Sequence, residues 1–322
     1  MKSTGARGGI DLGGTKIQAA VVGADHKVLG EEREPTPTKG GPPDVAKAMV
    51  KAMRAAAEKA GVETSDLEGV GVGSPGAIDA AAGNVSDAIN LPGWEGSFGL
   101  GPALSKELGT DIRIGNDVQV ATDAEFHLGA GRPYDSMLGV FWGTGVGGGI
   151  VLDGRDWLGR GAAGEIGHVV VQVDGAECAC GRRGCMEAYA GRRPMEAEAR
   201  RRVDQGERTE LFKIMEKKGH DRLKSGVWEA ALDEGDNMAA KLLDRAVRAL
   251  GAGVASVVNV LDVEAVIIGG GLGIRFGERF RDRIADQMAE HLFANDRPPA
   301  ILVAELGDLG GAIGATLLFD EN

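Results

Sequence analysis

Gly9-Ile10-Asp11-Leu12-Gly13-Gly14-Thr15-Lys16-Ile17 opens a run that predicts strand, glycine turn and strand over residues 9–12, 13–15 and 16–22. A weaker copy stands further on, Trp142-Gly143-Thr144-Gly145-Val146-Gly147, where a Gly/Thr turn again separates two strands, 137–142 and 149–152. The echo points to two related halves. Around the first copy follow a strand at 27–33, a loop at 35–43 dense in proline and glycine, and an alanine-rich helix at 45–60 closing at Gly61. A strand at 67–73 runs into the turn Ser74-Pro75-Gly76, and a short strand at 112–114 leads to a helix at 118–128. Beyond the second copy come a helix at 237–261, a buried strand at 263–268, a helix at 275–292, a strand at 301–304 and a closing helix at 311–318. Strands alternating with helices predict an α/β fold. The halves divide near residue 118: a small α/β domain over 1–118, to which a C-terminal helix within 305–322 returns, and a large α/β domain over 119–304.

Glycine is the compositional outlier, with 53 residues among 322, about twice the usual share of roughly 7%. The glycines cluster in short runs without a period, which excludes collagen-like and low-complexity chains and points to tight turns and close backbone approach. The net charge of −12 comes without a basic stripe, the opposite of what nucleic acid requires. Neither a signal peptide at residues 1–9 nor an apolar run long enough to span a bilayer is read. The expectation is a cytoplasmic protein with no nucleic-acid or membrane partner.

A triphosphate needs backbone N–H donors and positive charge at close range, with no Cβ atoms in the way, and successive N–H groups of a tight turn supply them. Gly13, Gly14 and Thr15, followed by Lys16, fit that need, as do Gly143, Thr144, Gly145, Gly147 and Gly148. A third run, Gly269-Gly270-Gly271-Leu272-Gly273, follows a hydrophobic strand where a nucleotide could lie. Gly143, Gly145 and Gly148 also match G-x-G-x-x-G, but a dinucleotide fingerprint opens a helix, whereas 149–154 reads as a strand ending in a turn. No G-x-x-x-x-G-K-[ST] run occurs. Taken singly, each run reads equally well as a hairpin turn.

The three cysteines, Cys178, Cys180 and Cys185, lie within eight residues of one another, and His168 stands ten residues ahead of the first. An odd, clustered set makes a poor disulfide framework. Thiolates and imidazole suit Zn²⁺, and three Cys plus one His close a tetrahedron with no open position, which makes the ion structural. Reduced cysteines in a turn are the plainer alternative.

Together these residues resemble the ROK family of sugar kinases and repressors, within the actin-like ATPase superfamily. The resemblance covers essentially the whole chain. It rests on residues 11–16, Ser74-Pro75-Gly76, Asn90-Leu91-Pro92-Gly93-Trp94, Asn116-Asp117, residues 143–149, Gly164-Glu165-Ile166-Gly167-His168, the cysteine loop with Glu187, and residues 269–271. It implies a two-domain, ribonuclease H-like fold with a cleft between domains that close on the sugar. It also implies an ATP-dependent hexose kinase, with glucose as the expected acceptor, and a homodimer or homotetramer. By the same resemblance, Asp117 is the general base for the C6 hydroxyl, and Gly76, Asn116, Glu165, His168 and Glu187 join it around the sugar. Asp11 would hold Mg²⁺ through water. The turns at Gly13–Lys16 and Gly143–Gly147, with Gly269, Gly270 and Gly271, would cradle ATP. His168 would touch zinc with one ring nitrogen and sugar with the other. Read alone, Asn116-Asp117 is a helix cap, and Glu165 and Glu187 are solvated charges.

Three departures stand out: Gln119 where such kinases commonly have Asn, Gly191-Arg192-Arg193-Pro194 where their glucokinases tend to show Ser-Gly, and the unusually charged 200–224. Fructose, mannose, N-acetylmannosamine or N-acetylglucosamine could replace glucose, and polyphosphate could replace ATP, although the intact 269–273 run favours a nucleotide. A sugar-sensing repressor is disfavoured by the charge and by the position of Asp11, which leaves no room ahead of it for a DNA-binding module. A non-catalytic sugar-binding module is disfavoured by Asp117 and the three glycine runs.

Overall fold

The computed structural model describes residues 5–88 and 91–320; Asn90 of the 90–94 run lies outside the described residues, as do the last two residues of 305–322. The chain forms two compact units, one of residues up to Gly129 together with those from Leu306, the other Ala130–Glu305.

In the first unit, β1 (Arg7–Leu12), β2 (Lys16–Val22) and β3 (Val28–Pro35) form an antiparallel meander. Helix α1 (Pro42–Ala60) carries the chain to β4 (Val70–Ser74), which pairs parallel with β1. Pro42 stands in its first turn and Gly61, in the left-handed region, ends it by donating to the Glu58 carbonyl. A small sheet of β5 (Ala77–Asp79), β6 (Asn84–Ser86) and β7 (Ser97–Phe98) and then α2 (Leu100–Leu108) lead to β8 (Ile112–Asn116), parallel to β4, and to α3 (Asp117–His127). The main sheet runs β3-β2-β1-β4-β8.

The second unit repeats this order. β9 (Met137–Trp142), β10 (Val146–Leu152) and β11 (Arg155–Asp156) form its meander. Five helices follow, α4 (Glu187–Ala190), α5 (Arg192–Asp204), α6 (Leu211–Lys217), α7 (Ser225–Asp233) and α8 (Asn237–Leu261). Then β12 (Ala265–Gly269) joins β9 in parallel, and α9 (Gly270–Ala289) leads to β13 (Ala300–Val303). The sheet runs β11-β10-β9-β12-β13. Both Gly/Thr turns therefore occupy the same place, between the first and second strands of their sheets.

Sheets covered on both faces need strands apolar throughout rather than alternating, and β2 meets that need. Ile17, Ala19 and Val21 pack with Met49 and Met53 of α1. Ala20 and Val22 pack instead with Ala312 and Ile313 of the C-terminal helix, Gly310–Leu317. That helix lies so close to the sheet that a Cβ at Gly9 or Gly71 would fall inside contact distance of the Ala312 and Ala315 carbonyl oxygens. Gly314 lets it approach the Val120 carbonyl of α3 equally closely.

Four expectations shift. The first unit extends past residue 118 to Gly129, because α3 packs against the returning C-terminal helix through Gly314. The third glycine run is not a separate turn: Gly269 ends β12 and Gly270 already opens α9, five residues before the helix expected at 275. Gly270 takes φ 78°, which turns the chain from strand into helix against Trp142. β10 begins at Val146, so Gly147 sits in the ladder opposite Phe141 and not in the turn. Helix α1 starts at Pro42, inside the stretch read as loop. The G-x-G-x-x-G run enters an antiparallel strand, not a helix, which excludes a dinucleotide fold there.

Candidate active site

In the first unit the candidate residues gather at the carboxyl ends of the parallel strands, where open α/β sheets place ligands. Asp11, Gly73 and Gly115 stand in register across β1, β4 and β8, and Ser74 stands beside Asn116. Gly76 follows in the turn at the end of β4, with φ 97°. The 13–15 turn is closed by Gly13 N–H donating to the Lys16 carbonyl at 3.0 Å, and the Thr36 hydroxyl donates to the Gly13 carbonyl at 2.6 Å. Gly14 and Thr15 are exposed, and Lys16 pairs with Asp308 at 3.2 Å.

Burial pushes the Asp11 carboxyl up to about 6, against the pull of Lys16. Directly across the strand pair is Gln18, whose buried Oε1 has no hydrogen-bond partner among the described residues. A desolvated carboxylate beside an unsatisfied amide oxygen is a donor set that suits a hard, hydrated cation such as Mg²⁺.

Asn116 is the N-cap of α3, and its Oδ1 accepts from Val118 N–H at 3.1 Å and Gln119 N–H at 3.2 Å. This is the capping role its residue type predicts, and its amide NH₂ faces elsewhere. Asp117, at the first helical position, is half-buried and accepts from Val118 N–H at 3.0 Å. Its carboxylate stands at the positive end of the α3 dipole.

In the second unit, the 143–145 turn meets the start of α5. Arg192 and Arg193 N–H groups donate to the Gly143 and Thr144 carbonyls, both at 3.1 Å. The turn thereby caps α5, whose N-cap Gly191 offers no side chain. With its carbonyls turned toward α5, the Thr144 and Gly145 N–H groups have no acceptor among the described residues. Gly271, in the first turn of α9, lies alongside: a Cβ on Gly143 would stand 3.7 Å from its nitrogen. Two of the three glycine runs thus meet, and open N–H groups beside a helix N-terminus are suited to phosphate.

Glu187 opens α4 and accepts from Val146 N–H at 2.9 Å, while its other oxygen lies 3.8 Å from Cys178 Sγ. A Cβ at 145 would push the Glu187 carboxylate off its place against Val146 N–H. His168 turns Nδ1 toward Cys178 Sγ at 3.7 Å and Nε2 toward Glu165 at 3.8 Å. Glu165 is exposed. Cys180 and Cys185 sulfurs are 3.7 Å apart, and the four ligand atoms all lie within 4.8 Å of one another. Zinc–sulfur bonds of about 2.3 Å in a tetrahedron set ligands about 3.8 Å apart, so His168, Cys178, Cys180 and Cys185 fit Zn²⁺. Burial pushes the Cys178 thiol up to about 12, a cost that a bound cation offsets. Glu165, His168, Glu187 and the 143–145 turn therefore form one connected cluster.

Residue-by-residue reading missed Arg192, Thr36 and Asp308. Arg192 reaches Thr144, 48 positions away, and its only sequence signal is the departure at 191–194.

The family model for ROK proteins matches residues 7–322. The chain belongs to the ROK family. This ROK chain is 35% identical over 274 residues to a glucokinase from Thermotoga maritima, a match covering 84% of the chain and 83% of the relative. It is 32% identical over 273 residues to an N-acetylmannosamine kinase from Haemophilus influenzae, covering 83% and 81%. Among solved structures it is similar to a ROK glucokinase from Streptomyces griseus in complex with glucose and AMPPNP, with TM-score 0.83, 31% identity and coverage of 98% and 99%. The ROK chain has the two-domain α/β fold of the actin-like ATPases.

Proposed function

We propose that this ROK protein is an ATP-dependent hexose kinase that transfers the γ-phosphoryl group of ATP to the C6 hydroxyl of glucose. The observation that carries the reading is the Asn116–Asp117 pair at the end of β8: Asn116 holds the helix start, which fixes the neighbouring carboxylate in place. Asp117 takes the proton from the C6 hydroxyl as that oxygen bonds to the γ-phosphorus. The bond from phosphorus to the β–γ bridging oxygen breaks, and ADP leaves with the electron pair. Phosphoryl transfer demands mainly positioning and charge stabilisation, so one placed carboxylate suffices as base.

Glu165, His168, Glu187, Gly76 and the amide NH₂ of Asn116 hold the sugar hydroxyls, which both donate and accept. The 13–15 and 143–145 turns, with Lys16 and Gly269–Gly271, bind the phosphates through N–H groups. Mg²⁺, when bound, neutralises phosphate charge, and Asp11 with Gln18 would hold it. His168, Cys178, Cys180 and Cys185 would hold a structural Zn²⁺, which would fix the imidazole ring and tie the cysteine loop beside Glu187. The protein acts as a homo-oligomer without nucleic acid.

A second acceptor is favoured by the 32% identity to N-acetylmannosamine kinase: an N-acetylhexosamine. The test follows ADP release from Mg-ATP over a panel of hexoses and N-acetylhexosamines, with Asp117→Asn beside the wild type. Turnover with one sugar, reduced at least about a hundredfold in the variant, is the expected result. Sugar binding without turnover on any panel member overturns the kinase assignment in favour of a sugar-binding protein.

A further inference from the structure

The Arg192 guanidinium donates to Thr144 Oγ1 at 2.9 Å through one amino group and to the Leu223 carbonyl at 3.2 Å through the other. Both acceptors are neutral. Among the described residues no carboxylate lies within ion-pair distance of it. Glu196, one helical turn on, is already engaged: one oxygen takes Arg200 at 2.7 Å and the other takes Leu223 N–H at 3.0 Å. Burial lowers the Arg192 pKa, and the neighbouring charges of Arg193 and Arg222 lower it further, with Glu196 opposing. A half-buried guanidinium with no carboxylate paired to it is costly unless an anion meets it. The same side chain fixes the Thr144 hydroxyl as an acceptor, so that its proton points away from Arg192, on a turn whose Thr144 and Gly145 N–H groups have no acceptor among the described residues.

We propose that Arg192 is a phosphate-binding residue, its guanidinium closing with the Thr144 hydroxyl and the Thr144 and Gly145 N–H groups on one phosphate group of the donor. A planar guanidinium with three N–H groups left over suits a phosphate better than a lysine ammonium does. The identity of the donor rests on the kinase reading; the ligand chemistry, a phosphate chain, does not.

The test is calorimetric binding of adenosine, ADP and AMPPNP to the full-length zinc-loaded protein, as wild type, Arg192→Gln and Arg192→Lys. Arg192→Gln is expected to weaken AMPPNP on the order of tenfold and leave adenosine unchanged. A loss confined to AMPPNP places the contact at the terminal phosphate, and a loss shared with ADP places it further in. Arg192→Lys, which keeps the charge and the fold, is expected to fall between. Equal weakening of adenosine reduces Arg192 to a clamp between Thr144 and Leu223 and overturns the proposal, as does unchanged AMPPNP affinity or a wild type that binds no AMPPNP. A wild type that binds AMPPNP but turns over no sugar removes the kinase reading alone.

Discussion

Glu198 carries the charge of α5. It accepts from Arg201 at 2.7 and 2.8 Å and from Arg202 at 2.8 Å, with Arg245 at 3.9 Å. Those guanidiniums, Arg201 foremost, hold its carboxyl down at about 2, against an ordinary 4.5. Arg200 pairs with Glu196 and lies over the Phe212 ring, so the three arginines that open the charged run each find a carboxylate about one helical turn back. A carboxyl with a depressed folded pKa contributes stability that is present above its unfolded value and lost as pH falls toward the folded one. Glu198→Gln should therefore cost roughly 1–2 kcal/mol at neutral pH, after allowance for solvent screening. The gap between wild type and variant, read from urea unfolding, should hold from pH 7 to 5 and shrink below about 4.5; a gap constant down to pH 3.5 would refute the network. At this scale, what could be read from sequence was what is local. The cysteine spacing and the Asn116 cap act within a few residues. Arg192 could not be read, because Thr144 and Leu223 meet it only after folding.

Two elements turn on close approach. The C-terminal helix rests on β1 and β4 where Gly9 and Gly71 leave room for helix carbonyls. Gly71→Ala should lower stability by about 3 kcal/mol or more, since backbone and not a flexible side chain must give way. Thermal unfolding of the variant checks this, and an unchanged Tm would show that the helix can lift. The cysteine loop is the second element. Cys185→Ser should lose zinc by elemental analysis and weaken sugar binding about ten- to a hundredfold, with AMPPNP affinity preserved. Equal losses for both ligands would mean that the loop supports the whole unit and not the sugar residues. Element boundaries were legible where caps or proline mark them, as at Gly61. They were missed at α9, because a glycine run reads as a turn while the α9 N-terminus needs glycine only at 270 for its φ. Helices α5 to α7 lacked a clear apolar period amid their charges and were not foreseen.

Over the whole molecule, the strand order is written twice, and the echo of Gly13–Lys16 in Gly143–Gly147 was its visible trace. The repeat was legible because both turns keep their glycines; the boundary was not, because α3 is held in the first unit by contacts formed only on folding, with Gly73 and Gly115 of the sheet and with a helix from the far end of the chain. Truncation after Glu305 should leave the first unit open to protease, since Ala20 and Val22 lose the cover of Ala312 and Ile313. Limited proteolysis with mass spectrometry is expected to recover fragments within 130–305 and to degrade 1–129; equal survival of both would refute the dependence.

That return path sets an order of events during synthesis. The sheet made first stays uncovered on one face while some 180 further residues leave the ribosome. The segment made second is contiguous and can fold while translation continues. The oldest part of the nascent chain is thus the last to be finished, and the interval in which chaperones must shield it is set by the length of its younger neighbour.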